Sequence, residues 1–114
     1  LAAADGHVIE FARDGNDWKE KRRFNEARGG DDVRFGSRID ITADAGRLWV
    51  SDTTRHRVVC MDLSNNRLVA TFGKADAAGT GLDELSSPRA IAARGSRAVV
   101  FDSENQRLVK LELE

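Results

Sequence analysis

The side chains able to act as a nucleophile, an imidazole base or a soft metal ligand are few: one cysteine, Cys60, and two histidines, His7 and His56. A catalytic Cys–His pair needs its imidazole within hydrogen-bond reach of the sulfur. His56 falls in a predicted turn and Cys60 well inside the strand that follows, roughly ten ångströms away at a rise of ~3.3 Å per residue. We therefore expect a turn histidine and a packing cysteine whose thiol faces the more polar side of its strand or a neighbouring repeat.

Metal and cofactor sites are not predicted either. A zinc site needs three or four convergent ligands, and His7, His56 and one carboxylate would have to be brought together from different repeats. No glycine-rich loop opens a predicted helix, so the sequence lacks the phosphate-cradling motifs. The sequence thus predicts no catalytic residue, no metal ligand and no cofactor, and it favours a binding protein over an enzyme.

Aspartate and arginine recur at a fixed spacing in two closely similar stretches, VSDTTRHRVVC at residues 50–60 and VFDSENQRLVK at residues 100–110. Each aspartate closes a predicted strand and the arginine opens the antiparallel neighbour, so a short hairpin can bring Asp52 to Arg57 and Asp102 to Arg107. The alternative makes Asp52 and Asp102 catalytic carboxylates. Equivalent positions of adjacent repeats are separated by the width of a repeat, and repetition favours an architectural role for these four residues.

The secondary-structure elements that position these residues are predicted from an internal repeat in the sequence. A shift of fifty residues aligns 35–64 with 85–114 without a gap, and it also sets 7–11 against 57–61. The fullest copy contains four short runs rich in β-branched and apolar residues, separated by short turn signals, at 39–43, 48–51, 57–62 and 67–72. The sequence therefore predicts an all-β protein built from four-stranded antiparallel meanders.

Repeated meanders of this length are typical of β-propeller blades. We assign residues 1–34 to the end of a first blade plus a linker, residues 35–84 to a complete second repeat unit with its linker, and residues 85–114 to the first three strands of a third blade. They form one structural domain and an incomplete ring. Repeats bury their faces against their neighbours, and this chain contains few of them. We therefore expect that the chain either self-associates or belongs to a longer propeller that supplies the missing blades.

The amino-acid sequence of the repeat resembles that of the NHL repeat family. The stretches that carry the resemblance are WVSDTTRHRVV at residues 49–59, LVATFG at residues 68–73 and SPRAIA at residues 87–92. One departure is Arg38, which stands where the other copy has Pro88. The resemblance implies propeller blades and a non-catalytic scaffold that binds a protein, peptide or other ligand through rim loops, here residues 29–37 and 74–87.

Two other functions are implied by relatives of this family. Six-bladed relatives include lyases and hydrolases with a metal in the central channel, and for such a metal the inner strands here offer only Asp40 and Asp44 as carboxylates. Some NHL domains hold single-stranded RNA on a basic face, and this chain has a candidate basic patch: Lys19, Lys21, Arg22, Arg23, Arg28, Arg34 and Arg38. We favour edge protection over RNA binding, because charged residues on an outermost strand commonly prevent pairing between sheets of different molecules.

The length and the net charge of the chain limit the remaining classes of function. The chain has 114 residues, with 18 lysines and arginines against 19 aspartates and glutamates, and a formal charge of −1. With so small a net charge, no overall electrostatic attraction draws the chain to nucleic acid or anionic lipid. Its apolar runs are far shorter than the roughly twenty residues of a membrane-spanning helix, so we expect soluble material without membrane insertion. The stretch LAAAD at residues 1–5 does not resemble a signal peptide, and the compartment stays open.

Overall fold

A computed structural model describes residues 1–29 and 33–113. The described residues form ten β-strands and one 3-10 turn, at Ser103–Asn105, so the predicted all-β class is confirmed. In chain order the strands are β1 (Ala2–Ala4), β2 (His7–Asp14), β3 (Asp17–Phe24), β4 (Ile39–Asp44), β5 (Arg47–Asp52), β6 (Arg57–Asp62), β7 (Leu68–Gly73), β8 (Pro88–Arg94), β9 (Arg97–Asp102) and β10 (Arg107–Glu112).

The strands form three antiparallel sheets that follow one another along the chain. The first sheet has the order β1-β2-β3, the central sheet β4-β5-β6-β7 and the third sheet β10-β9-β8. Every neighbour in a sheet is also a neighbour in sequence, so each sheet is a meander. None of the three sheets closes on itself within the described residues, which is consistent with an incomplete β-propeller.

The central sheet contains the four strands that the apolar runs predict, each within one residue of the expected bounds. Short turns set its register. Ala45 and Gly46 join β4 to β5 with φ angles of 52° and 76°. Two successive left-handed residues define the tight hairpin turn whose twist matches that of the flanking strands, and glycine adopts this conformation readily.

The register of the central sheet recurs fifty residues away. Val50 pairs with Val59 in the central sheet, and Val100 pairs with Val109 in the third sheet. The first sheet repeats an irregularity: its pairing shifts between Glu10 and Phe11, as the central sheet's does at positions 60 and 61. A bulge at the same place in two sheets shows that the repeat extends to backbone geometry and not only to side-chain pattern.

Both faces of the central sheet are buried. Successive residues of a strand point to opposite faces, so Leu48 and Val50 belong to the core shared with the first sheet, whereas Trp49 belongs to the core shared with the third sheet. On β6, Val59 belongs to the core shared with the first sheet and Val58 to the core shared with the third sheet. Each fully buried aliphatic side chain of this size stabilises the fold by roughly 1.5–3 kcal/mol. The stack of three sheets therefore depends on the middle one.

Among the described residues, no helix is both long enough and apolar enough to cross a bilayer.

Candidate functional site: a rim of anchored loops

The first of the two Asp–Arg pairs lies at one end of the central sheet. Asp52 is fully buried, and its Oδ2 lies 3.4 Å from Nε of Arg57, which is 4% exposed. The carboxylate also accepts hydrogen bonds from the backbone N–H groups of Gly36, at 3.1 and 3.2 Å, and Arg55, at 3.3 Å. Asp52 thus joins the β5–β6 turn to the loop that precedes β4.

The second pair repeats this arrangement in the third sheet. Asp102 is fully buried and accepts hydrogen bonds from Nε of Arg107 at 2.8 Å and from Nδ2 of Asn105 at 2.8 Å. Its Oδ1 accepts the backbone N–H of Ser86 at 2.6 Å. Ser86 stands fifty residues after Gly36, so each carboxylate holds the equivalent amide of the loop that leads into its own sheet.

The two arginines hold carbonyl groups of the same loops. Arg57 donates from Nη2 to the Arg34 carbonyl at 2.6 Å. Arg107 donates to three carbonyls of the longer loop, those of Thr80 at 3.2 Å, Gly81 at 3.0 Å and Glu84 at 2.8 Å. Each Asp–Arg pair therefore fixes both an N–H and one or more C=O groups of a loop, which is an architectural role for all four residues.

Gly36 lets the backbone of the loop lie against the Asp52 carboxylate. A Cβ atom at this position would lie 2.7 Å from Cβ of Thr54 and 2.8 Å from Oδ1 of Asp52. No side chain fits there without displacing the turn or the carboxylate. Burial raises the pKa of the Asp52 carboxyl, while the Gly36 and Arg55 N–H groups and the Arg57 guanidinium act in the opposite direction.

Further contacts, between units and within one unit, lock the loops to one another. The Thr53 hydroxyl donates to the Pro88 carbonyl at 2.6 Å, and Nδ1 of His56 accepts the Ser87 N–H at 2.9 Å. Arg55 forms a two-pronged pair with Asp76, at 2.9 and 2.8 Å. The sequence pattern does not indicate these partners, although the serine shared by positions 37 and 87 is a signal: Ser37 contacts Thr54, and Ser87 contacts Glu104.

Cys60 and His56 lie in different surroundings. His56 is in the β5–β6 turn and uses Nδ1 for the Ser87 amide, as a turn histidine would. Cys60 is fully buried in the apolar core between the central and third sheets, beside Trp49 and Val58. Of the two expected orientations, the structure therefore shows the one toward the neighbouring repeat. Burial raises the pKa of the Cys60 thiol to about 11, which disfavours the nucleophilic thiolate.

The anchored loops form a continuous rim on one edge of the stacked sheets, which we call the loop rim. We define it as residues 33–38 and 74–87 together with the turns at residues 53–56 and 103–106. Residues 30–32, part of the predicted 29–37 loop, lie outside the described residues. The rim leaves side chains of both charges and one large apolar side chain exposed to solvent, among them Arg34, Arg38, Lys74, Leu82, Asp83 and Glu104.

The seven residues of the candidate basic patch are spread over two segments. Four lie on β3, an edge strand as expected, and three lie in the connection to β4. Five of the seven have a carboxylate within salt-bridge distance: Lys19 with Asp14, Lys21 and Arg22 with Glu10, Arg23 with Glu20, and Arg34 with Glu26. These partners offset much of the positive charge that the sequence concentrates there.

Arg22 has a further role between sheets. Its guanidinium reaches the central sheet, where it donates to Oδ1 of Asn66 at 2.8 Å and to the Leu63 carbonyl at 2.8 Å. It also contacts Glu10 at 2.5 Å, and this hydrogen bond lowers the pKa of that carboxyl. Arg22 therefore tethers the first sheet to the central one.

The inner-strand carboxylates considered for a metal are placed differently from each other. Asp44 accepts the Gly95 N–H at 2.6 Å and so connects the first hairpin of the central sheet with that of the third. Asp40 is exposed. Among the residues that the structure describes, no group of three or more His, Cys, Asp or Glu side chains is arranged to hold a metal ion.

Comparison of the sequence with protein-family models, and a search of curated proteins, found no match.

Proposed function

We propose that the protein is a non-catalytic binding scaffold of β-propeller-like architecture, which presents the loop rim to a protein or peptide ligand. The observation that carries the proposal is the pair of buried carboxylates, Asp52 and Asp102, each of which holds the backbone of a rim loop. A loop that is fixed before binding loses less conformational entropy on binding than a mobile one. Buried charge at both positions thus supports a preorganised surface.

Repetition supports the same proposal. The two anchoring networks place an aspartate and an arginine at the same positions in adjacent repeats, whereas an exposed rim residue differs: Thr54 is followed fifty residues later by Glu104. Rigid scaffolds with variable loops are a common way to build binding sites. The resemblance of the repeats to NHL repeats agrees with this function but does not define the ligand.

The third sheet presents an apolar face that we propose is covered in the assembled protein. Val99, Phe101 and Leu108 are 42%, 38% and 72% exposed. Their equivalents in the central sheet, fifty residues earlier, are all fully buried, because the third sheet covers them. We propose that another sheet of the same type covers this face. The first candidate to test is a sheet supplied by a second copy of the chain.

The rim proposal is tested by mapping ligands onto the protein. Isotope-labelled protein is titrated with a mixed peptide library, with single-stranded RNA and with lactone and ester substrates, and amide chemical shifts are followed. We expect saturable peptide-induced shifts that cluster in residues 33–38, 74–87 and 103–106. RNA-induced shifts on β3 that weaken with salt would favour the RNA hypothesis instead, and substrate turnover would favour the enzyme.

The assembly proposal is tested by sedimentation velocity over a range of concentrations. We expect a concentration-dependent oligomer, and we expect Leu108→Asp to shift it toward monomer because a charge would be placed in an apolar interface. Thr42→Asp, on the inner strand β4, is the control for added charge. A stably folded monomer at all concentrations would contradict self-association.

A further inference from the structure

One of the two histidines presents a ring nitrogen to a hydrogen-bond donor. Nδ1 of His56, in the β5–β6 turn, accepts the backbone N–H of Ser87 at 2.9 Å. A backbone N–H can only donate, so Nδ1 carries a free lone pair and the ring proton is on Nε2. Protonation of the imidazole places a second proton on Nδ1, and two donors then face each other. The hydrogen bond is therefore made only by the neutral ring.

The other histidine has the opposite arrangement. Nδ1 of His7 lies 3.1 Å from the carbonyl oxygen of Asp5, which can only accept. Nδ1 of His7 thus already carries a proton, and a second proton on Nε2 leaves this contact in place. Protonation breaks the hydrogen bond of one imidazole and preserves that of the other, so His7 is a control for His56 within the same chain.

Contacts from two repeat units hold Ser87 in an unfavourable backbone conformation. Its φ angle is 52°, in the left-handed region, and it directly precedes Pro88, although a residue before proline favours extended backbone. His56 accepts its N–H, Glu104 accepts from its hydroxyl, and the Ser103 hydroxyl donates to its carbonyl at 2.6 Å. A strained residue relaxes when the contacts that impose its conformation are lost. Ser87 is the last residue of the longer rim loop, so its relaxation loosens that loop.

The charged groups around His56 offer a protonated ring a different partner. The Ser87 hydroxyl lowers the pKa of the Glu104 carboxyl, and the charges of His56 and Arg89 act in the same direction. An imidazolium is therefore attracted to Glu104, where it competes with the Ser87 hydroxyl. Other charged side chains on the turn and on the elements packed against it are Arg34 paired with Glu26, Lys74 with Asp83, Arg55 with Asp76, Arg57 with Asp52, and the exposed Arg38.

We propose that His56 is a pH-sensitive latch between the second and third repeat units. The neutral imidazole holds Ser87 and keeps the 74–87 loop in place. On protonation Nδ1 becomes a donor, the ring turns toward Glu104, and the Ser87 amide is released. Histidine is the side chain that ordinarily changes charge between pH 5 and pH 8. The inference deepens the proposed function and rests on it for its consequence, because a loosened loop makes the rim less preorganised for a ligand at acid pH.

The tautomer of His56 is tested first, in the unmodified protein. The ¹⁵N chemical shifts of the imidazole nitrogens are measured at pH 8, where bare and protonated nitrogens are distinguished. We expect a bare Nδ1 and a protonated Nε2 for His56, and a protonated Nδ1 for His7. A proton on Nδ1 of the neutral His56 ring would overturn the proposal, because that ring could not accept the Ser87 N–H.

Hydrogen exchange of the Ser87 amide tests the release, with no ligand present. Its protection relative to an unstructured chain at the same pH should be about tenfold lower at pH 5.5 than at pH 8, because the amide loses its acceptor. In His56→Asn the side-chain oxygen accepts near the place of Nδ1 without titrating, and asparagine adopts the left-handed φ of 58° readily, so the protection should change less than about twofold. His7→Asn should behave as the unmodified protein. The latch is refuted by equal falls in His56→Asn and the unmodified protein, or by no fall in the latter.

The consequence for the rim is tested separately. The mixed peptide library is titrated at pH 7.5 and pH 5.5, and the concentration that gives half-maximal amide shifts at residues 33–38 is compared. Since apparent affinity falls with the fraction of chains whose loop is in place, we expect a rise of about twofold or more at pH 5.5 that His56→Asn lacks. Equal half-maximal concentrations at the two pH values would overturn control of the rim by His56. Shifts at neither pH would overturn the proposed function, whereas the exchange result decides on the latch by itself.

Discussion

Replacing Arg57 by methionine removes one member of the buried Asp52–Arg57 pair while keeping most of the apolar stem. Arg57 is 4% exposed and Asp52 is fully buried. The variant Arg57→Met loses the charge pair and also the hydrogen bond to the Arg34 carbonyl. The Asp52 carboxylate then remains in the interior without its countercharge, which is the costly way to disrupt a buried ion pair.

The expected cost is about 3 kcal/mol at pH 7, the lower end of the range for breaking buried pairs, because the methionine retains the packing. For a domain of this length, 1 kcal/mol corresponds to roughly 4 °C, so the melting temperature should fall by about 12 °C. The matched control is Arg97→Met. Arg97 lies 2.7 Å from Glu112, but both side chains are more than half exposed, and such pairs contribute about 0–1 kcal/mol.

The penalty should depend on pH in a defined direction. Burial raises the pKa of Asp52 in the folded protein above its unfolded value, so the stability linked to its proton is present at acid pH and lost as pH rises through the folded pKa. Removing Arg57 raises that pKa further. The difference in stability between Arg57→Met and the unmodified protein should therefore be smaller near pH 4.5 than at pH 7.5.

The assay is urea and thermal unfolding followed by circular dichroism at one fixed protein concentration, from pH 4.5 to pH 7.5. Adding Asp52→Asn to Arg57→Met should recover part of the lost stability at pH 7, because the uncompensated charge is gone. A cost no larger than that of Arg97→Met, or one that does not change with pH, would refute the reasoning.

Three further experiments test other parts of the structure. Gly36→Ala should lower stability by about 1–3 kcal/mol in urea unfolding, because the new Cβ would collide with Asp52 and the turn beside it; a cost below ~0.5 kcal/mol would show that the loop has room. The Cys60 thiol should react with an aromatic disulfide reagent at pH 8 only at the rate of unfolding, because the folded chain buries it completely and burial also raises its pKa to about 11; immediate labelling of the folded chain would contradict its placement. Arg22→Gln should cost about 1–3 kcal/mol and Lys19→Gln less than ~0.5 kcal/mol, and equal effects would mean that Arg22 does not tether two sheets.

The fold class and the strands of the central sheet could be predicted because local signals and the repeat agree. Continuous runs of apolar residues marked β5 and β6, and the turn at Ala45 and Gly46 separated β4 from β5. The spacing of Asp52 and Arg57 likewise indicated a pair across one short turn, because only local geometry was needed.

The loop anchors could not be predicted, because they depend on where a long connection returns. Nothing in the sequence near Arg107 indicates that its guanidinium reaches three carbonyls more than twenty residues earlier. The same holds for Arg22, which the charge pattern placed in a basic patch and whose hydrogen bonds reach residues more than forty positions away. Charge content identifies candidate residues, whereas their partners follow from the stacking of the sheets.

The central claim is that three sheets stack through both faces of the middle one. It is tested most directly by methyl nuclear Overhauser effects in isotope-labelled protein. The structure predicts cross-peaks that connect Val8 with the cluster containing Val50 and Val59, and cross-peaks that connect Ala98 and Leu111 with the cluster containing Val58. Methyl groups of Val58 and Val59 that show cross-peaks only within the central sheet would contradict the stacked arrangement.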